Sequence, residues 1–223
     1  MCCIDTLIIM LSKNVKTTLL CGSRNLTSKS FMFEVATYWA EKGQRVVYVT
    51  PMPLEKRPAA CHDRGNPSGA ALKLMTFMYL SDYETLVEQL VKLHTYAAVP
   101  SVLLIDDLDN YFNDKAANDS ITHIAKTCSL ILHSMKLCSR ILKRNVYVCA
   151  WTNSILTNNF IQTMYFRNIW NLTEEENGKV ILLEKFSIGS SLEQSYKYHI
   201  FEDGMRVLQQ ILCDSVEDSV KMQ

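Results

Sequence analysis

Two apolar runs that stop abruptly at polar residues constrain this chain more than any other feature. One is Leu19-Leu20-Cys21-Gly22, which continues through Ser23, Arg24, Asn25, Leu26, Thr27 and Ser28 to Lys29 and Ser30. The other runs from Ser101 to Ile105 behind Pro100 and passes straight into Asp106, Asp107, Leu108 and Asp109. A short continuous apolar run bounded by turn formers reads as a strand buried on both faces. Such strands need helices above and below them.

The rest of the chain supplies those helices. Residues 29–42 place Phe31, Val35, Tyr38 and Trp39 at helical spacing, with Gly43 as the stop. Residues 44–50 have the β-branched character of a second buried strand, broken by Pro51 and Pro53. Residues 55–70, with Pro58, Gly65, Pro67 and Gly69, read as an exposed loop. A partly alternating strand is expected over 72–79. A helix over 82–97 is capped by Asp82, with Leu86, Leu90 and Leu93 inward.

After the strand at 101–106, a long helix from Ser120 to Arg144 sets Ile121, Ile124, Cys128, Leu132 and Met135 on one face. A strand over 145–150 and an Asn-rich loop follow, then strand-like runs at 179–186 and 196–202. Glu202-Asp203-Gly204 supplies the turn of a terminal hairpin. The fold class expected is α/β: a mostly parallel sheet with helices on both faces and an antiparallel C-terminal extension.

A chain of 223 residues suits one domain, and 48% apolar with 21% charged residues is a globular composition without a membrane span. The formal charge is zero, so the whole molecule is no electrostatic magnet. Eight cysteines never form a Cys-x-x-Cys pair, which argues against zinc in this chain and for a reducing compartment. The start, Met1 to Lys13, carries Asp5 and only a short apolar run, so a packed segment is expected rather than a leader.

The residues after Gly22 suit phosphate chemistry. A phosphate-binding loop, G-x-x-x-x-G-K-[ST], wraps an anion with backbone N–H groups, reaches it with lysine and holds magnesium with the hydroxyl. Gly22, Lys29 and Ser30 match in kind and context, while Thr27-Ser28 stand where the second glycine would be and the spacing is one residue longer. An ordinary strand-to-helix turn with a surface lysine remains the other reading. Asp106 and Asp107 arrive at the carboxyl edge of the sheet, where a carboxylate can hold a magnesium shell. They could equally cap the next turn.

From Ser120 to Thr173 there is no acidic residue, whereas Lys126, Lys136, Arg140, Lys143, Arg144 and Arg167 are basic. With Phe160 and Tyr165 nearby, the stretch suits single-stranded nucleic acid, whose phosphates pair with cations and whose bases stack on rings. A solvated helix face is the competing reading. The DNA-binding candidates are Lys136, Arg140, Lys143, Arg144 and Arg167.

Four strings resemble the RecA-type recombinase core of paralogues without an extra N-terminal domain: CGSRNLTSKS, SVLLIDDLDNYF, VYVCAWTNS and YHIFEDGMRV. Within that group RVVYVTPMPLEKRP and the stretch from Lys73 to Phe112 are most similar to the RecA-like subunit of the Shu complex, which associates with a SWIM-domain zinc-finger protein. The resemblance implies a RecA-like P-loop domain over 17–210, between an N-terminal docking segment 1–16 and an acidic tail 211–223. It implies ATP and Mg2+ at Gly22, Thr27, Ser28, Lys29, Ser30, Asp106, Asp107 and Asn153, with Ser30 and Asp106 on the metal and Glu55 the candidate general base. It further implies a nuclear homologous-recombination accessory factor whose partners are single-stranded DNA, the SWIM-domain protein and RecA-type recombinases. An active DNA-stimulated ATPase and a scaffold that binds neither ligand are the alternatives.

Overall fold

The computed structural model describes residues 14–23, 26–59, 65–112, 120–153, 164–186 and 194–212, and leaves aside the side chains of 26–28 and 120. Residues 1–13 of the expected docking segment and 213–223 of the expected tail lie outside this set.

Nine strands form one sheet: β1 Val15–Gly22, β2 Val46–Thr50, β3 Met75–Tyr79, β4 Val102–Ile105, β5 Val146–Thr152, β6 Asn168–Glu175, β7 Val180–Lys185, β8 Ser195–Ile200 and β9 Arg206–Leu212. Their spatial order is β3-β2-β4-β5-β1-β6-β7-β8-β9. The first six in that order are parallel, and β7, β8 and β9 are added antiparallel. Register holds the parallel strands level, with Val46 opposite both Met75 and Val102, and Leu19 opposite Ala150.

Helices cover both faces, as consecutive parallel strands require. Helix α1 (Leu26–Glu41) packs Met32, Ala36 and Ala40 onto Tyr48, Leu104 and Trp151, joined by Ala71 of the short α2 (Gly69–Leu72). On the other face α3 (Tyr83–Lys92) and α4 (Ser120–Leu142) bury Leu86, Leu90, Cys128 and Met135 against Val49, Leu103, Ile105 and Val148. The central strands are therefore buried on both sides, β2 and β4 throughout.

Several boundaries differ from expectation, each for a local reason. The helix expected over 29–42 begins at Leu26. The exposed loop ends in α2, which Ser68 caps by accepting a hydrogen bond from the Ala71 N–H at 3.1 Å. The helix over 82–97 is α-helical only to Lys92 and tightens into a 3-10 turn at Leu93–Thr95. Strand β6 was not expected, because its asparagines and acidic end break up the apolar run and its two buried residues, Ile169 and Leu172, face opposite sides of the sheet rather than alternating on one. It reaches β7 through a turn in which Glu176, Asn177 and Gly178 all take positive φ.

Candidate functional site at the carboxyl edge of the sheet

Parallel strands end together, so Gly22, Thr50, Asp106 and Asn153 lie at one sheet edge although 131 positions separate the first from the last (153 − 22). Helix α1 leaves the same edge. The alternation Val102, Leu104, Asp106 puts Asp106 on the face that α1 covers.

The link from β1 to α1 is short: three residues, 23–25, separate Gly22 from Leu26. Lys29 therefore sits at the end of the first helical turn, half-buried, and Ser30 behind it is buried. Much of the stretch expected to wrap an anion is helix. A helix start points its first backbone N–H groups outward, the general form of an anion site. The Thr27 and Ser28 side chains lie outside the described residues.

Gly22 has a packing reason rather than a dihedral one. A Cβ there would lie 3.0 Å from the Trp151 ring and 3.1 Å from the Leu172 carbonyl oxygen, so glycine lets the indole close over the end of β1. The Trp151 N–H in turn donates to Asn153 Oδ1 at 3.3 Å.

The acidic residues form a connected set. Asp107 adopts left-handed backbone (φ 57°), which turns the chain into the 3-10 segment Leu108–Tyr111. Asn153 Nδ2 donates to Asp107 Oδ1 at 2.9 Å. Asp109, which sequence reasoning passed over, accepts from Thr152 Oγ1 at 2.8 and 2.9 Å and also from the Asn153 backbone N–H. Thr50 Oγ1 lies 3.5 Å from Asp106 Oδ2. Asp106 and Asp107 are both buried. Burial and the nearby Asp106 charge push the Tyr48 phenol above its ordinary range, and its hydroxyl is buried with no hydrogen-bond partner among the described residues. Burial, reinforced by Asp109, pushes the Cys21 thiol up to about 12, so it carries no thiolate at neutral pH.

A cavity of about 420 Å³ opens beside α1. Lys29, Ser30 and Glu55 line it, and so do Lys56, Arg57 and the buried Arg206. Glu55 therefore shares a wall with Lys29 despite the flanking prolines, whereas Asp106 and Asn153 are not on the lining. Arg206, reached from the far end of the chain, donates through Nη1 to the Gly204 carbonyl oxygen at 3.2 Å. No local sequence signal pointed to it. Four cations against Glu55 and Asp203 suit a phosphate group. Lys29 and the buried Ser30 share this wall, whereas Asp106, the expected magnesium-side carboxylate, is buried and does not line it. Among the described residues no group of three or more His, Cys, Asp or Glu side chains is placed to hold a metal ion.

The basic candidates lie elsewhere. Lys136, Arg140 and Arg144 follow one another at four-residue intervals along the end of α4 and just past it. Arg140, Lys143 and Arg144 are exposed. Since β5 begins at Val146, this end of α4 stands at the amino edge of the sheet, and Arg167 joins it at the start of β6. The structure does not bring these residues to Lys29 or Asp106.

No family model matches the chain, and no curated protein matches it. Two solved structures share the architecture. The ATPase domain of a DnaB-like helicase aligns with a TM-score of 0.58 over 87% of this chain and 85% of its own, at 11% identity. A KaiC-like protein from the hyperthermophilic archaeon Pyrococcus horikoshii OT3 aligns with a TM-score of 0.56 over 87% of this chain and 89% of its own, at 14% identity. At such identities the likeness is one of fold, and the chain has the RecA-like ATPase fold: a mostly parallel sheet with helices on both faces and an antiparallel C-terminal extension.

Proposed function

We propose that the chain is a nuclear accessory factor of homologous recombination that works by binding single-stranded DNA and a SWIM-domain zinc-finger partner. In this role it supports RecA-type recombinase filaments during double-strand-break repair, and ATP is secondary. The observation that carries this reading is the separation of two surfaces on a RecA-like fold. Exposed cations gather at the end of α4, while at the carboxyl edge Gly22 makes room for the Trp151 ring and Asp107 accepts a hydrogen bond from Asn153. The resemblance of the stretch from Lys73 to Phe112 to the Shu-complex subunit supplies the partner. Zinc belongs to that partner. Fluorescence anisotropy with labelled single-stranded DNA at low salt tests the reading. Binding by the chain alone or with its SWIM-domain partner is expected, and no binding in either form sinks it.

The cavity shared by Lys29, Ser30 and Glu55 favours a second reading, a DNA-stimulated ATPase. When bound there, ATP supplies a terminal phosphate that Lys29 would hold, with Ser30 and Asp106 toward Mg2+ and Glu55 as the base on an attacking water. Lys29→Ala should then abolish turnover, and an unchanged rate excludes this reading.

A further inference from the structure

At the amino edge of the parallel sheet, opposite the strand ends just described, cations from distant parts of the chain come into line. Lys73 precedes β3, Arg45 precedes β2, Lys143 and Arg144 precede β5, Lys16 starts β1 and Arg167 precedes β6. All six are exposed. With neighbouring strands about 4.8 Å apart, the five steps from β3 to β6 make a row roughly 24 Å long. Among the described residues, the acidic groups at this edge are Glu41, Glu184 and Glu88, and Glu88 is paired with Lys92 at 2.6 Å. The row is thus strongly positive in a chain of zero formal charge.

An independent feature opens onto the same edge. A groove of about 210 Å³ lies between the end of α1 and strands β1, β5 and β6, with Lys16 at its mouth and Trp39, Tyr147 and Trp170 along its walls. The Trp39 and Tyr147 rings are 4.2 Å apart at centroid, tilted by 30°, and Tyr38 meets Trp39 edge-on at 5.3 Å. Tyr38 is 46% exposed, and the three rings of the groove are half-buried.

We propose that this amino edge binds single-stranded nucleic acid, with Lys16, Arg45, Lys143, Arg144 and Arg167 along the phosphates and an unpaired base in the Trp39–Tyr147–Trp170 groove. Cations alone would suit any polyanion. Flat rings beside a row of cations favour a strand whose bases are free to stack, since a duplex keeps its bases paired and stacked inside. The inference rests on the DNA-binding reading above and adds the site, which lies away from the nucleotide edge.

The test uses the full chain, a labelled oligothymidylate and the variant Lys16→Glu/Arg45→Glu/Arg144→Glu, whose three sites are exposed. Affinity should fall at least tenfold, and the slope of log affinity against log salt should flatten by about 2 for three lost phosphate contacts. Photo-cross-linking to an iodouracil-substituted oligonucleotide should give adducts in peptides holding Trp39, Tyr147 or Trp170. If the parent chain, with or without its partner, binds no oligonucleotide, the DNA reading and this site fall together. Strong parent binding that survives the triple reversal, or adducts only in other peptides, overturns the site and leaves the DNA reading standing. Equal competition by heparin without adducts at these rings overturns the base-binding groove.

Discussion

The two edges of the sheet use their polar residues in opposite ways. At the carboxyl edge Asp107, Asp109, Thr152 and Asn153 point at one another, and Gly22 is spent on admitting the Trp151 ring. At the amino edge the cations face solvent beside exposed and half-buried aromatic rings. Side chains paired with each other hold the fold in place, whereas side chains facing solvent can meet a ligand. The comparison teaches that a RecA-like frame can keep the residue types of a nucleotide edge while using several of them as structure.

That contrast can be broken by substitutions that cost stability at one edge and should leave DNA binding at the other unchanged. The largest effect belongs to Trp151→Ala, which empties a fully buried site at the end of β5 and should cost about 3–5 kcal/mol in chemical denaturation. Asp109→Ala removes the acceptor for Thr152 and for the Asn153 N–H, and should cost about 2 kcal/mol. In both variants oligothymidylate affinity of the folded protein should stay within twofold of the parent, or about 0.4 kcal/mol. A larger loss would mean that the two edges are one functional unit.

Tyr48→Phe sharpens the picture in the other direction. It removes a buried hydroxyl without a hydrogen-bond partner among the described residues, and should raise stability by about 1 kcal/mol. A loss of stability would reveal a partner for that hydroxyl, such as bound water. The smallest effect is that of Asp82→Ala at the start of α3. The Thr85 N–H donates to Asp82 at 2.9 Å and the Ser81 hydroxyl at 2.7 Å, and these bonds hold its carboxyl below the ordinary range. Because the folded form favours the charged carboxylate, its contribution is complete above the ordinary carboxylate range and fades as pH falls through the lowered value. Thermal melts should show a small deficit for the variant at neutral pH that closes in acid.

Much of this was legible in the sequence. Buried parallel strands announce themselves as apolar runs, and Pro100, Gly43 and Asp82 mark their boundaries through local chemistry. The terminal hairpin was equally local, with Gly204 at φ 83° in its turn. What could not be read was set by contacts across the sheet. Asp109 looks like one more turn residue until β5 is placed beside it, and Arg206 joins Lys29 only when the hairpin folds back over the segment after β2. The amino-edge row is the extreme case. Its members are scattered from Lys16 to Arg167, and only the strand register lines them up. The acid-free stretch gave the cations of α4 and Arg167 but could not supply Lys16, Arg45 or Lys73.

Hydrogen–deuterium exchange on the full chain, with oligothymidylate or with ATP and Mg2+, asks directly which edge meets which ligand. The account predicts that the oligonucleotide slows exchange at residues 14–18, 38–46 and 143–148, while ATP acts, if bound, at 26–31 and 52–59. Oligonucleotide protection confined to 26–31, 52–59 and 106–110, with the amino edge unchanged, would contradict it.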